Sequence, residues 1–551
     1  MQVDWDVPIE MDDGVVLRAD VFRPEEGRHP VILSYGPYAK GLAFQEGYPN
    51  QWERMVSQHP DVEAGSSNRY QNWEVVDPEK WVPDGYACVR ADSRGAGRSP
   101  GRLDPFAPRE TSDLAACIEW AAAQPWSSGK VGLNGISYYA MNQWHVAGRA
   151  PHGLTAMCAW EGASDWYRDA ARHGGILCTF FGNWYEKQVT TVQHGMGSRG
   201  PVSPVTGEEA CGPETLSGEE LAERRADFAA DVAEFELDGE YHRARSGDWE
   251  HIEVPLLSAG NWGGHGLHLR GNVEGYLRSA SRQKWLELHG LEHWTHFYTD
   301  YGVRLQKRFF GHFLKGEDTG WDEQPRVLLQ VRHVDGTFVE RAEDEWPIPR
   351  TEWTRWELGT GSYDALGDGL TFLGEPLERE TEITGPSAAK LFVSSSTTDA
   401  DLFVVLRAFD PDGEEVVFQG AIDPHTPVAQ GWLRASHRKL DPALSEPYRP
   451  YHTHDEKQPL EPGQVYELDV EIWPTSLVLP AGYRLALTVR GRDYEYPKAG
   501  GDRLTTFRNE LRGSGPFLHD DPQDRPREVF GGDVTIHAGS YVLLPFVGTT
   551  T

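Results

Sequence analysis

The first third of the chain alternates short apolar runs with one-sided amphipathic text. Val15 to Phe22, Pro30 to Tyr35 and Tyr86 to Ala91 read as strands, and Asp113 to Ala123 carries Leu114, Cys117, Ile118 and Ala121 on one helical face. The strands Val131 to Leu133 and Leu154 to Ala159 flank a helix that begins at Tyr138. This βαβ rhythm predicts a parallel sheet with helices on its faces. From Trp166 to about Glu250 the rhythm stops, and the acidic, Ala-rich text SGEELAERRADFAADVAEFELDGEYHRA predicts a helical insertion. Strand patterns resume at Val254 to Ala259 and Trp285 to His289, and Tyr301 to Leu314 reads as the closing helix. Beyond Gly316 the text turns to short alternating runs broken by Gly, Pro and Asp (KLFVSSS, DLFVVLRAF, QVYELDVEIW, YRLALTVRG, SYVLLPFV), the signature of a β-sandwich or jelly roll. The expected division is an α/β core over 1–165 and 251–322, a helical cap over 166–250, and an all-β domain over 323–551.

Composition narrows the function. The 551 residues are 39% hydrophobic and include 20 Trp, enough for several cores. With 52 basic against 85 acidic side chains the formal net charge is -33, which repels phosphate backbones and anionic lipid and so argues against nucleic acid or a membrane as partner. The opening MQVDWDVPIEMDDG carries acids without the apolar core of a signal peptide, and no apolar run approaches a membrane span; the expected location is the cytoplasm. The five cysteines, Cys88, Cys117, Cys158, Cys178 and Cys211, show no CxxC spacing and read as free thiols. The acidic run Glu219 to Glu236 lacks calcium-loop spacing and reads as a solvated helix face, and RGAGRSPG lacks the third glycine of a dinucleotide fingerprint. No cofactor is called for, and assembly into a homo-oligomer stays open.

The chemistry centres on KVGLNGISYYAMNQW. Ser137 follows Gly135 by two, after an apolar strand and before a helix, the order that lifts a serine hydroxyl above the carboxyl edge of a sheet and aims a helix N-terminus at it. Tyr139 stands where G-x-S-x-G has its second glycine. The nucleophile needs a base, and LHGLEHWTHFY offers His289, His293 and His296 beyond the last strands. His289 ends its strand and reads as a core residue, His293 lies in the loop, and His296 neighbours Trp294 and Phe297. No HExxH helix accompanies them, so a metal reading is set aside.

In order along the chain, MDDGVVLRADVFRP, SYGPYAK, DGYACVRADSRGAGRSPG, NGISYY, DADLFVVL and YVLLPFV resemble the landmarks of the CocE/NonD-type hydrolases of the X-Pro dipeptidyl peptidase (S15) class, which includes cocaine esterase and the α-amino acid ester hydrolases. The resemblance spans nearly the whole chain. It implies an α/β-hydrolase domain with a helical cap insertion, followed by a carboxyl-terminal jelly roll, with the active site where the three meet. It further implies an acyl ester (or amide) hydrolase working through an acyl-enzyme on Ser137. The Tyr138 backbone N–H and the Tyr38 hydroxyl would form the oxyanion hole, with His293 as base and His296 as runner-up. Where the family usually reads G-W-Y-D-G, this chain has GNWGGHG, with Gly263 in the aspartate's place. Adjacent strand ends lie about 4.8 Å apart, so Glu161, at the end of LTAMCAW, can reach the same imidazole; Asp165 is the second candidate. Two alternatives remain: an X-Pro dipeptidyl aminopeptidase, which would need carboxylates for a free α-amino group, and a degenerate ligand-binding member lacking turnover.

Overall fold

The structure, a computed structural model, describes residues 1–500, 504–505, 507 and 510–548. Ten strands form the first sheet: β1 Gln2–Glu10, β2 Val16–Arg23, β3 His29–Gly36, β4 Ala87–Asp92, β5 Ser127–Ile136, β6 Leu154–Trp160, β7 Leu256–Asn261, β8 Lys284–His289, β9 Val327–Arg332 and β10 Phe338–Glu343. Their spatial order is β1-β2-β4-β3-β5-β6-β7-β8-β9-β10. The stretch from β4 through β9 is parallel, while β1, β2 and β10 add antiparallel edges. Helices cover both faces, so the central strands are buried on each side and their text is almost continuously apolar rather than alternating. Every residue of β4 and of β7 is buried. Helix α1 (Pro108–Ala123) packs Leu114, Cys117 and Ile118 onto one face, with α2 (Tyr138–Ala147) beside it. Helices α3 (Leu269–Arg278) and α4 (Asp300–Phe310) follow β7 and β8.

One expected boundary needs correction. The all-β domain was expected to begin at 323, yet β9 pairs in parallel with β8, Leu286 facing Val327, and β10 returns beside it. The first sheet therefore continues to Glu343. VLLQVR has the length and apolarity of a sandwich strand, and periodicity does not say which sheet a strand joins. The second sheet holds eleven strands among the described residues, all its pairings antiparallel, around the long pair Thr381–Ser395 and Tyr466–Leu479. Its own core gathers Leu391, Leu402, Val404, Ile472 and Leu487.

Between Trp166 and Glu250 the structure has short helices rather than long ones. The acidic text yields Gly218–Glu223, closed by a Ser217/Glu220 capping box, then Phe228–Glu234 and Glu240–Arg243. The earlier half of this segment, around Phe180–Trp184, turns its aromatic rings toward the end of β5. No helix among the described residues is long and apolar enough to cross a membrane.

Candidate active site

Ser137 stands alone between β5 and α2 with φ 57° and ψ -113°. Left-handed backbone at a non-glycine residue is unfavourable by about 1–3 kcal/mol and persists only where the surroundings over-determine it. Here they do. The Ser137 amide donates to the carbonyls of Trp160 and Glu161 at 3.1 Å, and the Ile136 amide donates to the Glu74 carbonyl at 3.0 Å. Glu74 (φ 64°) and Glu161 (φ 48°) are strained in the same sense, so three such residues converge on one spot. Tyr139 is accommodated because Gly36 faces it; a Cβ at Gly36 would lie 2.6 Å from the Tyr139 ring.

Two stacked imidazoles and two carboxyls surround the serine. Ser137 Oγ lies 3.2 Å from His268 Nε2, and the His268 ring stacks on His293 with centroids 5.3 Å apart. His293 Nε2 is 2.9 Å from Glu74 Oε1, and its Nδ1 is 3.7 Å from Glu161 Oε2. The other Glu161 oxygen accepts from His289 Nε2 at 2.7 Å and from Asn261 Nδ2 at 3.2 Å; His289 Nδ1 meets Glu287 Oε2 at 2.6 Å. Glu74, at the other end, also touches the Ser137 hydroxyl and the Trp73 indole.

Burial sets the protonation of this chain. His289 is buried, yet its two flanking carboxylates, Glu287 and Glu161, outweigh that burial and raise it to about 10. Among the described residues no carboxylate faces His268, and burial lowers it to about 3. Burial, with the imidazoles of His268 and His289 close by, holds His293 well below the usual imidazole value. Burial and the nearby charge of Glu161 push the Glu74 carboxyl well up.

The expected oxyanion donors line the same pocket. The Trp184 indole N–H, which can only donate, gives a 2.9 Å hydrogen bond to the Tyr38 oxygen and leaves the Tyr38 proton free to point elsewhere. The Tyr138 amide is the first of α2, where no carbonyl one turn back can accept it. The Tyr138 phenol donates to Glu110, and its ring stacks on Trp184, which fixes the start of the helix. In this pocket Tyr38, Glu74, Ser137, His268 and His293 meet apolar walls from Phe106, Phe180, Phe181 and Trp184.

Other candidates sit elsewhere. Asp165 caps the Trp166–Ala171 helix and pairs with Arg168 at 2.9 Å. The His296 ring packs between His289 and Tyr301. Gly263 explains the missing family aspartate: a Cβ there would lie 2.3 Å from Gly420 Cα and 2.9 Å from the Ala421 amide, so backbone from the second sheet's domain occupies the space. An engineered aspartate at 263 therefore has no room. Sequence reading missed His268 and Glu74. The imidazole facing Ser137 in this structure is His268 rather than the expected His293. His268 lies in the very segment where the aspartate was sought, at the mouth of α3; Glu74 sits in an irregular loop with no motif around it.

A strained serine between strand and helix, imidazoles beside it and a carboxyl behind define a serine hydrolase of the α/β-hydrolase type. The chain belongs to the X-Pro dipeptidyl-peptidase (S15) family, whose model matches residues 13–298, and the X-Pro dipeptidyl-peptidase C-terminal non-catalytic domain matches residues 359–523. Cocaine esterase from Rhodococcus is 24% identical over 605 residues, covering 89% of this chain and 90% of that protein. The CocE/NonD family hydrolase from Staphylococcus aureus is 29% identical with a TM-score of 0.82, over 99% of this chain and 94% of the other. An α-amino acid ester hydrolase, 16% identical over 99% and 96% of the two chains with a TM-score of 0.63, shares the fold.

Proposed function

We propose that the protein hydrolyses acyl esters through an acyl-enzyme on Ser137, and that the acyl group is apolar and flat. The observation that carries this reading is the strained Ser137 hydroxyl, in contact with an imidazole at the floor of an aromatic-walled pocket. Ser137 Oγ attacks the acyl carbon and the charge gathers on the former carbonyl oxygen. The Tyr138 amide and the Tyr38 hydroxyl donate to it. The serine proton passes to a histidine and then to the departing alkoxide; water repeats the sequence to free the acid.

His293 is the base in this account. A catalytic imidazole needs a carboxylate on its far nitrogen to hold the tautomer and balance the imidazolium. Glu161 lies behind His293, whereas among the described residues no carboxylate faces His268. His268 holds the hydroxyl in the free enzyme. The order Ser137 after β5, Glu161 after β6 and His293 after β8 keeps the nucleophile-acid-base sequence of the fold. The eleven-stranded antiparallel sheet around a single core supports a jelly roll. Five buried free cysteines support a cytoplasmic location, and a small-molecule ester is the partner we assign.

An X-Pro dipeptidyl peptidase is the second reading, favoured by one observation. Glu74 places a carboxyl in the pocket, where it could meet a free amino group. A panel of p-nitrophenyl esters of acetate, butyrate and benzoate beside Xaa-Pro anilides separates the two. Turnover of esters with benzoyl preferred supports the esterase; efficient cleavage of the anilides with feeble ester turnover replaces it with the peptidase.

A further inference from the structure

Outside the Ser137 pocket, the cap segment and the second sheet's domain meet at three buried side chains of metal-binding type. His173 and Cys178 flank a tight two-strand turn, Arg172–His173 against Ile176–Leu177, and His519 reaches in from the carboxyl-terminal region. One ligand atom from each lies within 4.8 Å of the others.

The hydrogen bonds around the two imidazoles are the telling observation. His519 Nδ1 is 2.7 Å from Asp493 Oδ1, and His173 Nε2 is 3.0 Å from the Asp169 carbonyl oxygen. Both outer partners are acceptors, so each ring carries its hydrogen on the outside. The inner nitrogens, His173 Nδ1 and His519 Nε2, are thereby turned toward one another, 2.7 Å apart. Metal-bound histidines are oriented in this way, the far N–H given to a carboxylate or a backbone carbonyl.

We propose that His173 Nδ1, His519 Nε2 and Cys178 Sγ bind one zinc ion that staples the cap to the carboxyl-terminal domain. Thiolate with imidazole suits zinc, and the charges close: two positive on the ion against one each on Cys178 and Asp493. Tetrahedral bonds of about 2.0–2.3 Å require neighbouring ligand atoms about 3.3–3.6 Å apart, so the imidazoles part slightly and the sulfur draws in. The rings of Trp432 and Trp473 pack on His173 and hold its imidazole in place. Phe180, two residues past Cys178, packs on Phe517, two residues before His519, and lines the Ser137 pocket. The ion would therefore brace one wall of that pocket without touching the reaction.

The test uses the full chain, expressed in zinc-supplemented medium and purified without chelator. Elemental analysis should find about one zinc per chain in the wild type and under about a fifth of that in Cys178→Ala and in His519→Gln. Protein stripped with 1,10-phenanthroline should melt several degrees lower and recover on adding zinc but not magnesium. Cobalt added to the stripped protein should give a thiolate-to-cobalt absorption band that Cys178→Ala lacks. Should His519→Gln fail to fold, the cobalt band of the wild type still decides. The proposal is overturned if stripped wild type gains neither stability from zinc nor a thiolate band from cobalt, or if both variants retain zinc at the wild-type level.

Discussion

His289 closes β8 and His293 lies four residues further on; both are buried, yet one is charged and the other neutral. His289 lies between Glu287 and Glu161 and stays protonated, whereas His293 shares Glu161 at a longer distance, faces a raised Glu74 and stays neutral. The comparison teaches that proton affinity in this core is set by how many ionised carboxylates face an imidazole, since burial alone would neutralise both. Division of labour follows. The charged histidine locks Glu161 in place, and the neutral one is free to accept a proton.

The largest effects should come from breaking that division at the neutral side. His293→Ala and Glu161→Gln should each lower kcat on esters by about 10³-fold or more, since the base and the carboxylate that orients it act as a unit. His268→Ala should lower kcat by no more than about tenfold, because it holds the hydroxyl without accepting its proton. Steady-state kinetics on a p-nitrophenyl ester decide; a collapse in His268→Ala with near-normal His293→Ala would exchange their roles.

On the charged side, His289→Gln leaves Glu161 and Glu287 buried without their cation and should destabilise the fold by about 3–5 kcal/mol at neutral pH, read by urea denaturation. The pH dependence has a definite sign. His289 is raised to about 10 in the folded protein, so its stabilisation is complete below the free imidazole value of about 6.5 and fades as pH rises toward 10. Wild-type stability should fall across that window, and His289→Gln should flatten the fall. Activity should behave differently: with His293 held low, the acidic limb of kcat/KM should lie below about pH 6.5.

Smaller effects sharpen the picture. Tyr38→Phe should lower kcat by about 10²-fold with KM little changed, as expected for a donor needed where charge develops. Asp165→Asn should scarcely alter kcat, because its carboxylate is occupied with Arg168 and a helix start.

The parallel sheet and the nucleophile's turn were legible in sequence because each rests on local text: apolar runs of strand length, then Gly135, Ser137 and a helix. Glu161 could be singled out only once the missing aspartate at 263 posed a question. The reason for that absence, the backbone of Gly420 and Ala421 pressed against Gly263, joins residues more than 150 positions apart and leaves no local trace. His268 and Glu74 were hidden for the same reason: one opens α3 and the other sits in a loop, and only tertiary folding brings both to Ser137. The position of β9 in the first sheet was equally beyond reach, since a fully buried strand reads alike in either domain, and β10 follows it as the antiparallel edge.

The central claim is that Ser137 is an activated nucleophile. Intact-mass and peptide mass spectrometry after treatment with a fluorophosphonate probe test it most directly. The account predicts one adduct per chain, on the peptide containing Ser137, lost in Ser137→Ala and slowed by orders of magnitude in His293→Ala. Absence of labelling in an ester-hydrolysing preparation, or an adduct that persists in Ser137→Ala, would contradict it.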